Sequence, residues 1–129
     1  SFEGDTGPYV LYTIVRIKSI LAKYKELGNE ISKDMVILPA SGTNEQALML
    51  ELAKFNEMIY TAYEEIAPHR ICQYIYDLAN SFNSFYHDTK IISEEDDKKR
   101  SSWIALIILV QEVLTTCIDL LGIEAPERM

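Results

Sequence analysis

The sequence predicts an all-α fold, an up-and-down helical bundle of about four main helices. Apolar residues recur at steps of three and four along most of the chain, nothing alternates with the period of a strand for more than a few residues, and helix start and stop signals divide the chain into four long segments. With 129 residues and 48% hydrophobic content, the chain has enough apolar material for one cooperative core and too little for two.

The first segment opens at Pro8, where the missing N–H costs nothing, and runs to Gly28, a natural C′ residue. A loop follows that contains the short apolar run Val36-Ile37-Leu38-Pro39, expected to pack under the bundle. Thr43 with Gln46 forms a capping-box pattern opening a second helix that reaches about Ile66. Pro68 opens a third, ending near His87, whose Ile71, Ile75, Leu78, Phe82 and Phe85 form a core-facing stripe. Ser93, followed by Glu94, Glu95, Asp96 and Asp97, opens a fourth with acids on its positive N-terminal dipole, and Gly122 closes it. Apolar residues lie nearly all round this segment between Trp103 and Leu121, so it is expected to be the most enclosed element of a bundle with short connections.

Charge and cysteine usage narrow the function. The net charge of −8 opposes phosphate binding in general, yet residues 1–28 carry four bases against three acids while residues 29–66 carry two against seven. The first helix alone is locally basic. Cys72 and Cys117 stand far apart in apolar helical surroundings without a CxxC motif, which reads as two reduced core thiols of a cytoplasmic protein. The uninterrupted apolar run from Trp103 to Val110 falls far short of the roughly 20 residues that cross a bilayer, so no membrane partner is expected.

Placed at about 100° per residue, Val10, Ile14, Ile17 and Leu21 share one face of the first helix, and Tyr9, Tyr12, Arg16 and Lys23 share another. Two aromatic planes beside a guanidinium and an ammonium suit unpaired bases and their phosphates. The same residues also suit a plain amphipathic fringe around a core, and periodicity alone leaves both open. Tyr86 falls off the third-helix stripe, which leaves it available as a further stacking plane. Catalytic chemistry finds no support: His69, Cys72, His87 and Cys117 lack zinc spacing, no Glu-x-x-His tetrapeptide occurs, and Ser41-Gly42-Thr43 lacks the pattern of a phosphate loop. No catalytic residue, metal site or cofactor is expected in this chain.

Three stretches resemble one family. Gly4-Asp5-Thr6-Gly7-Pro8-Tyr9-Val10-Leu11-Tyr12, then Pro68-His69-Arg70 with Tyr74-Ile75-Tyr76-Asp77-Leu78-Ala79 and Phe82-Asn83-Ser84-Phe85-Tyr86, then Leu120-Leu121-Gly122-Ile123 with Glu124-Ala125-Pro126-Glu127-Arg128-Met129, are similar to bacterial arginyl-tRNA synthetases where their helical anticodon-binding domain, the DALR type, begins, continues and ends. The resemblance implies that residues 1–129 form this domain, with 1–7 the junction from a catalytic domain of the same chain and Met129 a native C-terminus. It further implies tRNA, the arginine isoacceptors, as partner, and a monomeric parent that uses ATP and Mg²⁺ to attach arginine to tRNA. Neither a His-Ile-Gly-His-like string nor a Lys-Met-Ser-Lys-like string occurs here, so the catalytic signatures lie elsewhere. Carried over residue by residue, the anticodon contacts fall on Tyr9, Tyr12, Arg16, Asn83, Tyr86 and Met129; Lys23 joins them from helix geometry alone. The rival expectation is a free-standing helical protein-interaction module.

Overall fold

A computed structural model describes residues 6–65 and 67–124, which form five helices: α1 (Thr6–Glu26), α2 (Thr43–Ala53), α3 (Phe55–Glu65), α4 (Pro68–Asp88) and α5 (Asp97–Glu124). No strand occurs among the described residues. The start of the 1–7 junction, Ile66 and Met129 lie outside them.

Helix α1 ends as its glycine predicts. Gly28 takes φ +91°, its N–H donates to the Lys25 carbonyl at 2.9 Å, and the Asn29 N–H reaches the Tyr24 carbonyl at 3.4 Å, so the last-turn carbonyls are satisfied by a left-handed cap. Val10, Ile14 and Ile17 are buried as expected. The buried stripe then continues through Ile20 and Tyr24, with Leu21 at its margin, and it includes one polar residue, Thr13.

The predicted second helix is two short ones. At Lys54 the backbone N–H donates to the Glu51 carbonyl at 3.2 Å, a tightened turn that breaks the axis, and the Tyr74 hydroxyl donates to the same carbonyl at 2.7 Å. Two short helices in place of one straight rod let Leu48, on one side of the break, and Met58 and Ala62, on the other, all reach the core beside α4. Thr43 is the first helical residue and not a cap. Gly42 occupies the N-cap position, and Glu45, buried, reaches back so that both the backbone N–H of Ser41 (3.0 Å) and its hydroxyl (3.1 Å) donate to one carboxylate oxygen. The Glu45 carboxylate thus grips the residue before the N-cap, a variant of the capping box in which the N-cap itself supplies no side chain.

The start of α5 is also displaced. Asp96, not Ser93, caps it, accepting from the N–H groups of Lys98 (3.0 Å) and Lys99 (3.2 Å), and the helix continues through Gly122 to Glu124. A run of four acids contains several acceptable caps, and composition does not choose between them. The loop run Val36-Ile37-Leu38 does not pack underneath: all three side chains are exposed, and the segment is held instead by its backbone, the Leu38 N–H donating to the buried Ser102 hydroxyl at 2.8 Å.

Helix α4, not α5, is the centre of the bundle, packing against each of the other four helices. It presents Ile71, Ile75, Leu78, Phe82 and Phe85, all buried, while α1 packs on α4 and α5. The long connection over residues 27–42 is what permits that pairing. By length and composition α5 could cross a membrane, more than its eight-residue apolar run suggests. In the fold, Trp103, Ile104, Leu106, Ile107, Val110, Val113, Leu114 and Cys117 are buried in the shared core, so its hydrophobicity serves packing. Cys117 is a buried free thiol, as expected of a core residue, whereas Cys72 is only partly buried. Burial pushes the Cys117 thiol from 9.0 up to about 12, and burial followed by the neighbouring Cys117 and Glu51 raises the Tyr74 phenol above its ordinary value.

Candidate nucleic-acid interface

Where α1 crosses α4, a polar network replaces apolar packing. Asn83, 7% exposed, uses both ends of its amide: Oδ1 accepts from Arg16 Nη1 at 2.7 Å, and Nδ2 lies 3.0 Å from both the Tyr9 hydroxyl and the Thr13 hydroxyl. Thr13, wholly buried, donates in turn to the Tyr9 carbonyl at 2.9 Å, and the Tyr9 hydroxyl donates to Asn80 Oδ1 at 2.7 Å. A buried amide with every group partnered fixes its neighbours, because any rotation would strand a donor or acceptor away from water.

What the network holds is Arg16. Its Nη2 donates to the Tyr12 hydroxyl at 2.9 Å, and its guanidinium carbon lies over two rings, 4.4 Å from the Tyr86 centroid and 4.9 Å from that of Tyr12. Tyr86 in turn stacks on buried Phe82, with centroids 6.1 Å apart and planes 23° from parallel. Phe82, Tyr86, Arg16 and Tyr12 therefore form a column of π and cationic groups that rises from the core to a half-exposed outer ring, Tyr12 at 56%.

A groove of about 750 Å³ runs alongside, lined by Tyr12, Arg16 and Lys23 from α1 and by Tyr86, His87 and Lys90 from α4 and the segment after it. No Asp or Glu lines it, although the chain has 20. The hollow where α2 and α3 meet α4, by contrast, mixes the acids Glu51, Glu57 and Asp77 with the bases Lys54 and Arg70.

The structure thus brings together Tyr12, Arg16, Lys23 and Tyr86 on one groove and sets Tyr9 and Asn83 behind it. Tyr9 is half-buried, with its ring 5.6 Å from that of Tyr76 and its hydroxyl engaged, so it buttresses Asn83 and, through it, Arg16. Met129 falls outside the described residues. Sequence reading missed Thr13, Asn80, His87 and Lys90. Thr13 was legible in principle as a polar residue on the Val10–Ile17 stripe; Lys90 was not, since it follows the helix end and periodicity does not reach it. Among the described residues no group of three His, Cys, Asp or Glu side chains is placed to hold a metal ion.

A helical bundle that carries a stacked tyrosine–arginine column beside an acid-free cationic groove has the composition of the helical RNA-recognition modules. The chain belongs, more narrowly, to the DALR anticodon binding domain family, whose model matches residues 10–129. It is 61% identical over 131 residues to an arginine–tRNA ligase of Agathobacter rectalis and 58% identical over 129 residues to one of Alkaliphilus oremlandii, matching along 100% of its own length in both cases. It spans only 22% of the length of each. Among solved structures, the arginyl-tRNA synthetase of Thermus thermophilus superposes with a TM-score of 0.79 at 37% identity, over 95% of this chain and 21% of that one.

Proposed function

We infer that this chain is the anticodon-recognising domain of an arginine–tRNA ligase, and that the α1–α4 groove receives the anticodon loop of arginine tRNAs. The observation that carries the reading is the Phe82–Tyr86–Arg16–Tyr12 column beside an acid-free groove. An unpaired base adds to the column on the outer Tyr12 ring, or takes the guanidinium's place between the two tyrosines, while Arg16 and Lys23 meet phosphate or base oxygens. Arginine codons share a middle G, so their anticodons share a central C. Cytosine presents acceptors at O2 and N3 and a donor at N4, and the N–H groups of Arg16 fit the acceptors. Tyr9 and Asn83 belong to the site through Arg16.

The parent enzyme, using ATP and Mg²⁺ in a catalytic domain of the same chain, would attach arginine to the tRNA in the cytoplasm as a monomer. This chain supplies recognition and no reacting group. Fluorescence titration of the purified chain with an arginine-tRNA anticodon stem-loop tests the reading. A dissociation constant of roughly 10⁻⁴ to 10⁻⁶ M is expected, because few cations face phosphate. Replacing the central C by U turns a donor into an acceptor and should weaken binding further. Equal affinity for C and U would refute base-specific recognition.

A further inference from the structure

Lys90 is the cation of the groove that no helical pattern marks. Thr89, the residue that ends α4, is extended (φ −129°, ψ 124°), and Ile91 is buried with its carbonyl accepting the Glu94 N–H at 3.3 Å. Side chains alternate along extended backbone, so anchoring Ile91 inward turns Lys90 outward, where it lines the groove with Arg16, Lys23 and Tyr86. Lys23 and Lys90 make no ion pair among the described residues, and although Lys90 also borders a second hollow lined by Glu45, Asp88, Glu94 and Glu95, none of these carboxylates pairs with it. Two unpaired ammonium groups thus face one groove, Lys23 from α1 and Lys90 from the α4 side, with the stacked column beside them.

We propose that Lys90 is a phosphate-positioning residue: it holds a backbone phosphate of the bound RNA strand on the α4 wall, opposite Lys23, and so directs the neighbouring base onto the Tyr12–Arg16 column. The inference rests on the anticodon reading. It deepens that reading by giving the groove two cationic walls with different elements behind them. A phosphate contact positions the strand without reading a base, so losing it should weaken binding to every sequence equally.

The test measures stem-loop affinity across a salt series for wild type, Lys90→Ala, Lys90→Arg and Tyr12→Ala, with melting temperatures to show that each variant folds. Lys90→Ala should weaken binding about threefold to tenfold and lower the slope of log affinity against log salt by about 0.7, the release expected for one single-stranded phosphate. It should leave the preference for central C over U unchanged. Lys90→Arg should restore both affinity and slope. If wild type and Tyr12→Ala differ but Lys90→Ala matches wild type in affinity and slope, the Lys90 role is wrong and the anticodon reading stands. Loss of the C over U preference in Lys90→Ala would contradict a purely phosphate-directed role. If wild type itself binds no stem-loop, both fall together.

Discussion

Asn83 separates two kinds of contribution that a list of site residues merges. Its amide is fully used within the protein, on Arg16, Tyr9 and Thr13, so it has no group left for a base. Asn83→Ala should therefore weaken stem-loop binding through a loosened Arg16, and should also destabilise the fold by about 1–3 kcal/mol, since the buried Thr13 hydroxyl loses a partner. Chemical denaturation alongside binding reads both effects. Tyr12 should behave differently. Its ring is the exposed end of the column, so Tyr12→Ala should cost about 1–3 kcal/mol of RNA affinity with little change in stability, and Tyr12→Phe, which removes only the hydroxyl that accepts from Arg16, should cost less. Sequence reading reached Tyr12, Arg16 and Tyr86 because helical spacing places them on faces. It could not reach Lys90 or the internal use of Asn83, which depend on how the end of α4 leaves its axis and on which residues of α1 lie across from it.

At the scale of elements, what was legible is what local chemistry determines. The burial stripes of α1 and α4, the Gly28 cap and the Pro68 start follow from periodicity and backbone freedom, and the structure has each of them. The break at Lys54, the Asp96 cap and the exposed Val36–Leu38 run follow from packing between elements distant in sequence, such as Tyr74 on Glu51 and Ser102 on Leu38, and carry no local signal. The central place of α4 was hidden for a related reason: uniform hydrophobicity made α5 look innermost, whereas a helix with partners on several sides is recognised only once those partners are placed. Ile17, fully buried on α1, should lose about 2–5 kcal/mol of stability on change to Ala, measured by denaturant unfolding. Gly28→Ala has open space for its methyl group but must hold φ +91°, a strain of about 1–2 kcal/mol that the same measurement would show.

For the whole molecule, a net charge of −8 and a cationic groove coexist because the lining of that groove holds no acid, while acids line the neighbouring hollows. The core adds a pH limit. The Cys117 thiol is raised from 9.0 to about 12, and the Tyr74 phenol is raised too, so the folded state retains protons that the unfolded chain releases. Stability from these groups is complete below about pH 9 and should fall as pH rises from there through about 12, with melting temperature dropping across that window and Cys117→Ala reducing the drop. Whether RNA binds the α1–α4 groove is read residue by residue in two-dimensional NMR of the labelled chain titrated with an arginine-tRNA anticodon stem-loop. Progressive shifts are expected at Tyr12, Arg16, Lys23, Tyr86 and Lys90, saturating together, with Tyr60 and Tyr63 on the far more acidic α3 unmoved. Shifts centred on Tyr60 and Tyr63 with the groove residues still would contradict binding in the groove.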